Sequence, residues 1–395
     1  MIEIRGKYNI AKVFLDTIEE KTYAQLLELC NQEFVTGSQI RIMPDTHVGS
    51  GCTIGTTMTI TNKVVPSHVG VDIGCGVYVG KIDTETIDFA KLDQVIRKNV
   101  PLGFDVRQKP HRFASKIDLS LYPVRLKNVD HLKLSIGSLG GGNHFIEVAQ
   151  DPSGKYYLLI HTGSRNLGTQ VAKFYQQLAY DILDDNRKMV EETITQLKRE
   201  GREAEIQETI TKIKMPKVNR DFAYLEGVYL ESYLKNMTIA QEFAELNRQA
   251  IADVICRGMN WKIEEFFSTV HNYIEDGMLR KGAVSAKDGE QLIIPINMRD
   301  GSILAIGKGN EEWNCSAPHG AGRVMSRREA KDTLNLDEFV KTMQDVYTTS
   351  VCSATLDEAP DAYKPIHLIA NAISDTVDII SIIKPVYNIK GGAEQ

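Results

Sequence analysis

The 395-residue chain has only six cysteines, at positions 30, 52, 75, 256, 315 and 352, and no two of them form a C-x-x-C pair. Sparse, scattered thiols exclude a disulfide framework and a zinc ribbon, and they suit a reducing compartment. Long apolar runs are missing too. No segment reaches the roughly 20 apolar residues that span a bilayer. The opening "MIEIRGKYNIAKVF" lacks the basic, apolar and small-residue succession of a signal peptide. These absences predict a cytoplasmic protein with no membrane partner. There is no excess of positive charge either: 46 basic residues against 52 acidic ones leave a net charge of −6. That balance argues against a chain that coats nucleic acid non-specifically, while leaving room for a local basic groove. Internal repeats, low-complexity tracts and Pro/Ser linkers are also lacking.

What is present reads as a globular protein of mixed helices and strands. Residues 3–34 give a strand and a helix, and a Gly-rich β region follows over 39–82. A helix is predicted over 85–98, and strands over 143–150 and 155–162 flank the turn "DPSGK". From Thr169 to Lys214 the pattern is helical: Val190, Ile194 and Leu197, then Ile206, Ile210 and Ile213, recur at helical spacing with Gly201 between the two sets. This predicts a charged helical arm over 187–214, inserted within a single domain spanning 1–395. A second long helix covers 228–258, and short strands with Gly turns occupy 265–310. Helices are expected at 320–332, 335–346 and 363–383. There is no regular βαβ rhythm, so the fold class is α+β.

One stretch stands out. "VGVDIGCGVYV", residues 69–79, reads as a buried strand but carries Asp72 and Cys75 among Gly70, Gly74 and Gly76. A carboxylate in an apolar run needs something to offset its burial. Residues three apart on a regular strand face opposite ways, and glycines permit a turn that brings both side chains to one point. Six of the nine histidines sit in Gly-rich or strand-end contexts: His47, His68, His144, His161, His271 and His319. Thiolate, carboxylate and imidazole together suit a borderline divalent ion such as Mn, Fe, Co or Zn. "HGAGRVMSRREA" places His319 before small residues and an Arg-rich helical pattern, which predicts an anion site at a helix start. There His319 would act as a nucleophile toward phosphorus, a general base or a ligand. Two basic runs, Arg107–Lys116 and Arg323–Lys331, are the first candidates for a nucleic-acid backbone.

The motifs "MPDTHVGSGCTIG", "VGVDIGCG", "GGGNHFIE", "HTGSRNLG", "HNY", "RKGAVSA", "GNEE", "HGAGRVMSR" and "IKGG" follow one another from about residue 40 to the C-terminus. In this order they resemble the RtcB family of RNA-splicing and RNA-repair ligases. The resemblance implies an RtcB-like fold around a metal and nucleotide cleft. It implies a GTP-dependent ligase that joins an RNA 3′-phosphate or 2′,3′-cyclic phosphate to an RNA 5′-hydroxyl with two Mn²⁺ ions. Asp72, Cys75 and His144 would hold one ion, and Cys75, His161 and His271 the other. His319 would carry GMP covalently. Asn143, His144, Phe145, Ile146 and Glu147 would line the guanylate site from one motif, with His271 and Asn272 from a second. Pro295, Ile296, Asn297, Met298 and Ser302 would add a loop, and His319, Gly320, Ala321, Gly322 and Lys390 would complete the shell.

Three features depart from the family. "PINMRDG" stands where a "PGSMG" loop is common, so Ile296 replaces a glycine and Arg299-Asp300 lengthen the loop. There Arg299 would pair with a phosphate or be neutralised by Asp300. Ser50 replaces a common lysine, and the charged arm is long. These mark a divergent branch, for which a damaged ribosomal or transfer RNA and a release-factor-like hydrolase or an activating factor are the expected companions. Competing readings are a dinuclear metallophosphoesterase and a non-catalytic RNA-binding paralogue.

Overall fold

The computed structural model of the chain describes residues 1–122, 125–212 and 219–392. Its larger sheet has eight strands. Seven run in the spatial order Ile263–Val270, Gly76–Ile82, Tyr156–Thr162, Phe145–Gln150, Val377–Lys390, Gly301–Gly307 and Gln291–Asn297, with each neighbouring pair antiparallel. The eighth, Tyr347–Thr348, runs parallel to Val377–Lys390. A six-stranded sheet contains Ile2–Arg5, Ile10–Val13, Ile40–His47, Ile54–Thr59, Met278–Lys281 and Asn272–Glu275. The architecture is α+β, as the irregular order of elements predicts.

Strand alternation sorts the side chains of the larger sheet onto two buried faces. Tyr78, Ile146, Val148, Leu158, Ile160, Tyr387 and Ile389 share a core with Leu92 and Ile96 of helix Phe89–Asn99 and with Ile251 and Ile255 of helix Gly227–Met259. Val77, Val79, Phe145, Ala149 and Leu159 pack on the other face against Ile293, Leu304 and Ile383. A third core joins the two long helices through Tyr175, Tyr233, Met237 and Phe243.

The long helices begin one to four residues before their predicted starts. Arg165–Arg199 is one helix of 35 residues, so the charged arm continues a helix that begins beside the "HTGSR" motif. It ends at Gly201, whose φ of +69° reverses the chain before helix Ile206–Lys212. Ile213 and Lys214 lie outside the described residues. Two predicted helices are corrected. The helix expected at 320–332 is only Arg327–Thr333, begun by a capping box of Ser326 and Glu329, because Gly322 at φ +74° turns the chain out of the helical region. The helix expected at 363–383 is Ile366–Ala372, after which Val377–Lys390 is a strand of 14 residues. Its β-branched residues favour a pleated surface, and strands pair with it on both sides.

No helix among the described residues is long and apolar enough to cross a membrane. Gly76 is required by close approach, since a Cβ there would lie 2.1 Å from the Thr269 carbonyl oxygen of the adjacent strand. Gly76→Ala should therefore push apart the strands that carry Cys75 and His271. A loss of about 1–3 kcal/mol is expected, read as a lower midpoint of thermal unfolding.

Candidate active site and metal centre

Five neighbouring strands of the larger sheet end on one side, and their ends carry the reactive side chains. Cys75 precedes Gly76, and the register pairs Gly76 with both Thr162 and Val270. His161 is paired with Phe145, next to His144, and Lys390 is paired with Phe145 on its other side. His271 directly follows the Val270 strand end. Ladder register thus delivers a thiol and three imidazoles from four separate strands to one place.

Their atoms converge. Cys75 Sγ lies 3.2 Å from His161 Nε2 and 3.6 Å from His144 Nε2. His144 Nε2 is 3.2 Å from Asp72 Oδ2, and the Nε2 atoms of His161 and His271 are 3.4 Å apart. Two donor triads result, Cys75–His161–His271 and Asp72–Cys75–His144, with Cys75 common to both. The turn that brings Asp72 beside Cys75 passes through Gly74 at φ +73°.

The rings are held in a metal-binding tautomer. His144 Nδ1 is 3.0 Å from the Leu139 carbonyl and His161 Nδ1 is 3.3 Å from that of Asn143. A ring that donates through Nδ1 to a carbonyl presents a lone pair at Nε2. Burial, reinforced by neighbouring cationic groups, holds His161 and His271 well below the usual imidazole range. Burial and the Asp72 charge push the Cys75 thiol well above its own. Lone pairs of neutral rings facing each other at this distance repel unless a cation lies between them. Donors around an ion with bonds of ~2.0–2.3 Å stand about 3.3–3.8 Å apart. The donor set and spacing therefore fit two adjacent divalent cations that share a thiolate.

Next to this centre is a cavity of about 280 Å³. Asp72, Cys75, Asn143, Phe145, Glu147, His161, His271 and Asn272 line it, and so do Pro295, Ile296, Asn297, Met298 and Ser302. His319, Gly320, Ala321, Gly322 and Lys390 complete the predicted set. His144 stands with the triads. Ile146 is corrected: strand alternation turns its side chain to the opposite face, into the core with Val148 and Leu158. His68 is fully buried elsewhere, beside Phe34 and Phe222, and takes no part.

His319 follows the short strand Ser316–Pro318, with its ring 4.8 Å from that of His271. The expected helix start is seven residues further on, so the anion site at a helix terminus is not beside His319. Its ring meets a carboxylate instead. Asp45, fully buried on strand Ile40–His47 of the smaller sheet, accepts from His319 Nδ1 at 2.6 Å. This leaves the Nε2 lone pair for chemistry.

The opposite end of the cavity is a polar network. Glu147 accepts from Asn388 Nδ2 at 2.7 Å, and burial raises its carboxyl to about 7. Burial would raise Glu358 as well, but Lys390 and Arg327 outweigh it and bring that carboxyl to about 2. Lys390 Nζ donates to Glu358 at 3.1 Å, and Tyr363 donates to the same carboxylate at 2.8 Å. Much of the second basic run is therefore engaged internally: Arg323 donates to the Asp357 carbonyl, and Arg327 to both Asp357 and Glu358. In the first run Arg112 pairs with Asp253.

In the divergent loop Arg299 donates to both oxygens of Asp300, at 2.9 and 3.0 Å, so the neutralising alternative is the one adopted. Ile296 is buried among Ile294, Ile303 and Ala321 while touching the cavity. Asp45 and Glu358 were not among the residues singled out from the sequence. "IRIMPDTH" does carry for Asp45 the signal that exposed Asp72, an acid inside an apolar strand.

The Glu147 carboxyl makes stability depend on pH. Unfolded, it ionises near 4.5; folded, it keeps its proton up to about 7. The folded state binds the extra proton, so this stabilisation is complete below pH 4.5 and falls as pH rises toward 7. Glu147→Gln, which still accepts from Asn388, should remove that slope. Chemical denaturation at pH 5 and pH 8 should show the variant gaining up to about 3 kcal/mol relative to the parent at the higher pH.

The family model described as "tRNA-splicing ligase RtcB" matches residues 25–124 and 122–391. The RNA-splicing ligases RtcB1 of Escherichia coli ATCC 25922 and RtcB of E. coli K12 are each 30% identical to this chain over 418 residues, covering 95% of both chains. A tRNA-splicing ligase RtcB of Nanoarchaeum equitans is 26% identical over 451 residues, covering 89% of this chain and 87% of its own. The matched segments contain both donor triads, Asp45 and His319, and the chain belongs to the RtcB family.

Proposed function

We propose that this chain is an RNA ligase that uses GTP and Mn²⁺ to join an RNA 3′-phosphate or 2′,3′-cyclic phosphate to a 5′-hydroxyl, with residues 1–395 acting as one catalytic unit. The observation that carries the reading is His319. A cavity histidine with its tautomer set by a buried carboxylate stands beside two donor triads. A hydrolase needs the triads but has no use for a second, oriented nucleophile.

Asp72, Cys75 and His144 would hold one Mn²⁺ and Cys75, His161 and His271 the other. The ions would neutralise phosphate charge and assist the leaving group. His319 Nε2 attacks the α-phosphorus of GTP; an N–P bond forms as the bond to pyrophosphate breaks. Asp45 takes up the charge that develops on the ring through Nδ1–H. An RNA 3′-phosphate oxygen then takes the guanylyl group from His319, after a cyclic phosphate has first been opened by water. The 5′-hydroxyl attacks the activated phosphate and GMP leaves. Glu147, once ionised, accepts from the N1–H and exocyclic N–H of guanine. Adenine has an acceptor at N1, so the same carboxylate disfavours ATP. The reading is of an RNA-repair or RNA-splicing enzyme in the cytoplasm, working alone or with an activating factor.

Incubation with α-labelled GTP and Mn²⁺ should label the protein, and His319→Ala should abolish the label while leaving the bound metal unchanged. The alanine variant should still seal RNA supplied with a guanylylated 3′ end. Label that persists in His319→Ala would move the nucleophile elsewhere. Asp45→Asn leaves the ring in place but removes the charge that stabilises it, so labelling should slow by about 10²–10⁴-fold. An unchanged rate would reduce Asp45 to a packing role.

A further inference from the structure

Helix Gly227–Met259 passes behind the donor cluster and contributes no donor to it. It does contribute Arg248, a fully buried guanidinium. Arg248 Nη1 donates to the carbonyls of Gly74 at 2.9 Å and Thr162 at 3.0 Å. These carbonyls belong to the residues directly before Cys75 and directly after His161. Gly76 and Thr162 are the last register partners of their two strands. Beyond that pair the register gives these two strands no further partners. One nitrogen of Arg248 bridges the segments there, bonding a carbonyl of each.

The third donor is reached through an ion pair. Arg248 Nη2 donates to Glu245 Oε2 at 2.8 Å, and Glu245 Oε1 accepts from Ser268 Oγ at 3.1 Å. Ser268 lies on the strand that ends at Val270, just before His271. The His271 amide also donates to the Cys75 carbonyl at 2.9 Å. The neighbouring Asn247 also bonds the segment after His161, through Thr162 Oγ1 at 3.4 Å and the Gly163 carbonyl at 3.2 Å, and it serves a further segment. Its Oδ1 accepts from the amides of Gly137 and Ser138 and its Nδ2 donates to the Ser138 carbonyl, which steadies the loop whose Leu139 carbonyl orients His144.

We propose that Arg248, through Glu245, is the positioning residue of the Cys75–His161–His271 triad, setting the spacing of those donors for one cation and not for the ion bound by Asp72 and His144. The inference rests on the metal reading above. It follows from the placement: Nη1 bonds the segments that carry Cys75 and His161, and Nη2 reaches the His271 strand through Glu245. The Gly74 contact is shared with the Asp72–Cys75 turn, but His161 and His271 belong to this triad alone and neither nitrogen reaches the segment that carries His144. A lysine keeps the charge but cannot hold two carbonyls and a carboxylate in a fixed fork.

The test is a double-mutant cycle with Mn²⁺ as the probe, read by titration with electron paramagnetic resonance of free Mn²⁺ and without nucleotide or RNA. The parent protein should bind two ions. Arg248→Lys should weaken one of them by about 10–100-fold and leave the other within about threefold. His271→Ala should remove the same ion. In the doubly substituted protein the remaining ion should bind as in His271→Ala alone, because Arg248 would no longer have a triad to position. Wild-type binding of both ions by Arg248→Lys overturns the proposal, as does equal weakening of both or further weakening of the remaining ion in the double variant. If the lysine variant does not fold, Glu245→Gln tests the same link from its other end, with the same outcomes. A parent protein that binds fewer than two Mn²⁺ would overturn the metal reading itself, which is a distinguishable result.

Discussion

Three imidazoles and a buried thiol, with the part-buried carboxylate of Asp72 at their edge, form two triads whose donor atoms lie within 4.8 Å of one another, so their lone pairs are crowded together. Everything around Cys75 is arranged to keep them there. Carbonyls of Leu139 and Asn143 fix the rings of His144 and His161 with Nε2 inward, and burial keeps His161 and His271 neutral. Such a donor set fits divalent cations, whose binding would relieve this crowding and so couple to folding. The carboxylate within "VGVDIGCG" is only part-buried, with 36% of its side chain exposed, and it meets the His144 ring at 3.2 Å, so its placement costs less than the apolar run suggests.

The sheet supplies what such a cluster requires. Donors drawn from four strands stay within a few tenths of an ångström of their places only if the strands cannot slide, and a one-residue slip would turn each side chain to the other face. Both faces of this sheet are packed, which fixes the register. Where the ladder runs out, side chains take over its function: Arg248 between Gly74 and Thr162, and Asn247 along the loop before His144. His319 and Asp45 arrive from outside this sheet, so the oriented imidazole and the donor cluster are set by different parts of the fold and meet at the cavity.

Element types were legible where periodicity was long. The two extended helices and the paired strands around "DPSGK" appear close to their expected limits because amphipathic spacing over many residues has one reading. Segments with two readings were misjudged. Residues 377–383 are rich in β-branched residues, and tertiary pairing with Gly301–Gly307 made them a strand that continues into the pairing of 384–390 with Phe145–Gln150. The stretch after His319 has small residues that suit a helix start, but Gly322 takes a left-handed turn and the helix begins only at Ser326. Ile146 shares a motif with Asn143 and Glu147 yet faces the other way, which strand alternation makes inevitable once the strand is placed.

By itself the sequence determined the chemistry on offer: which residue types are present, which of them sit in glycine-rich turns at strand ends, and that an acid and a thiol share one apolar run. Side-chain chemistry is local, so it can be read from order along the chain. Only the tertiary structure decided who meets whom. Asp45 is 274 residues from His319 and bonds it at 2.6 Å; Glu358 lies 32 residues from Lys390 and holds its ammonium. Arg248 stands 174 residues from Gly74 and bonds its carbonyl, directly before Cys75. Such pairings are fixed by strand register and by the packing of a helix across strand ends. Both are set by the burial of whole faces, which no local stretch of sequence specifies.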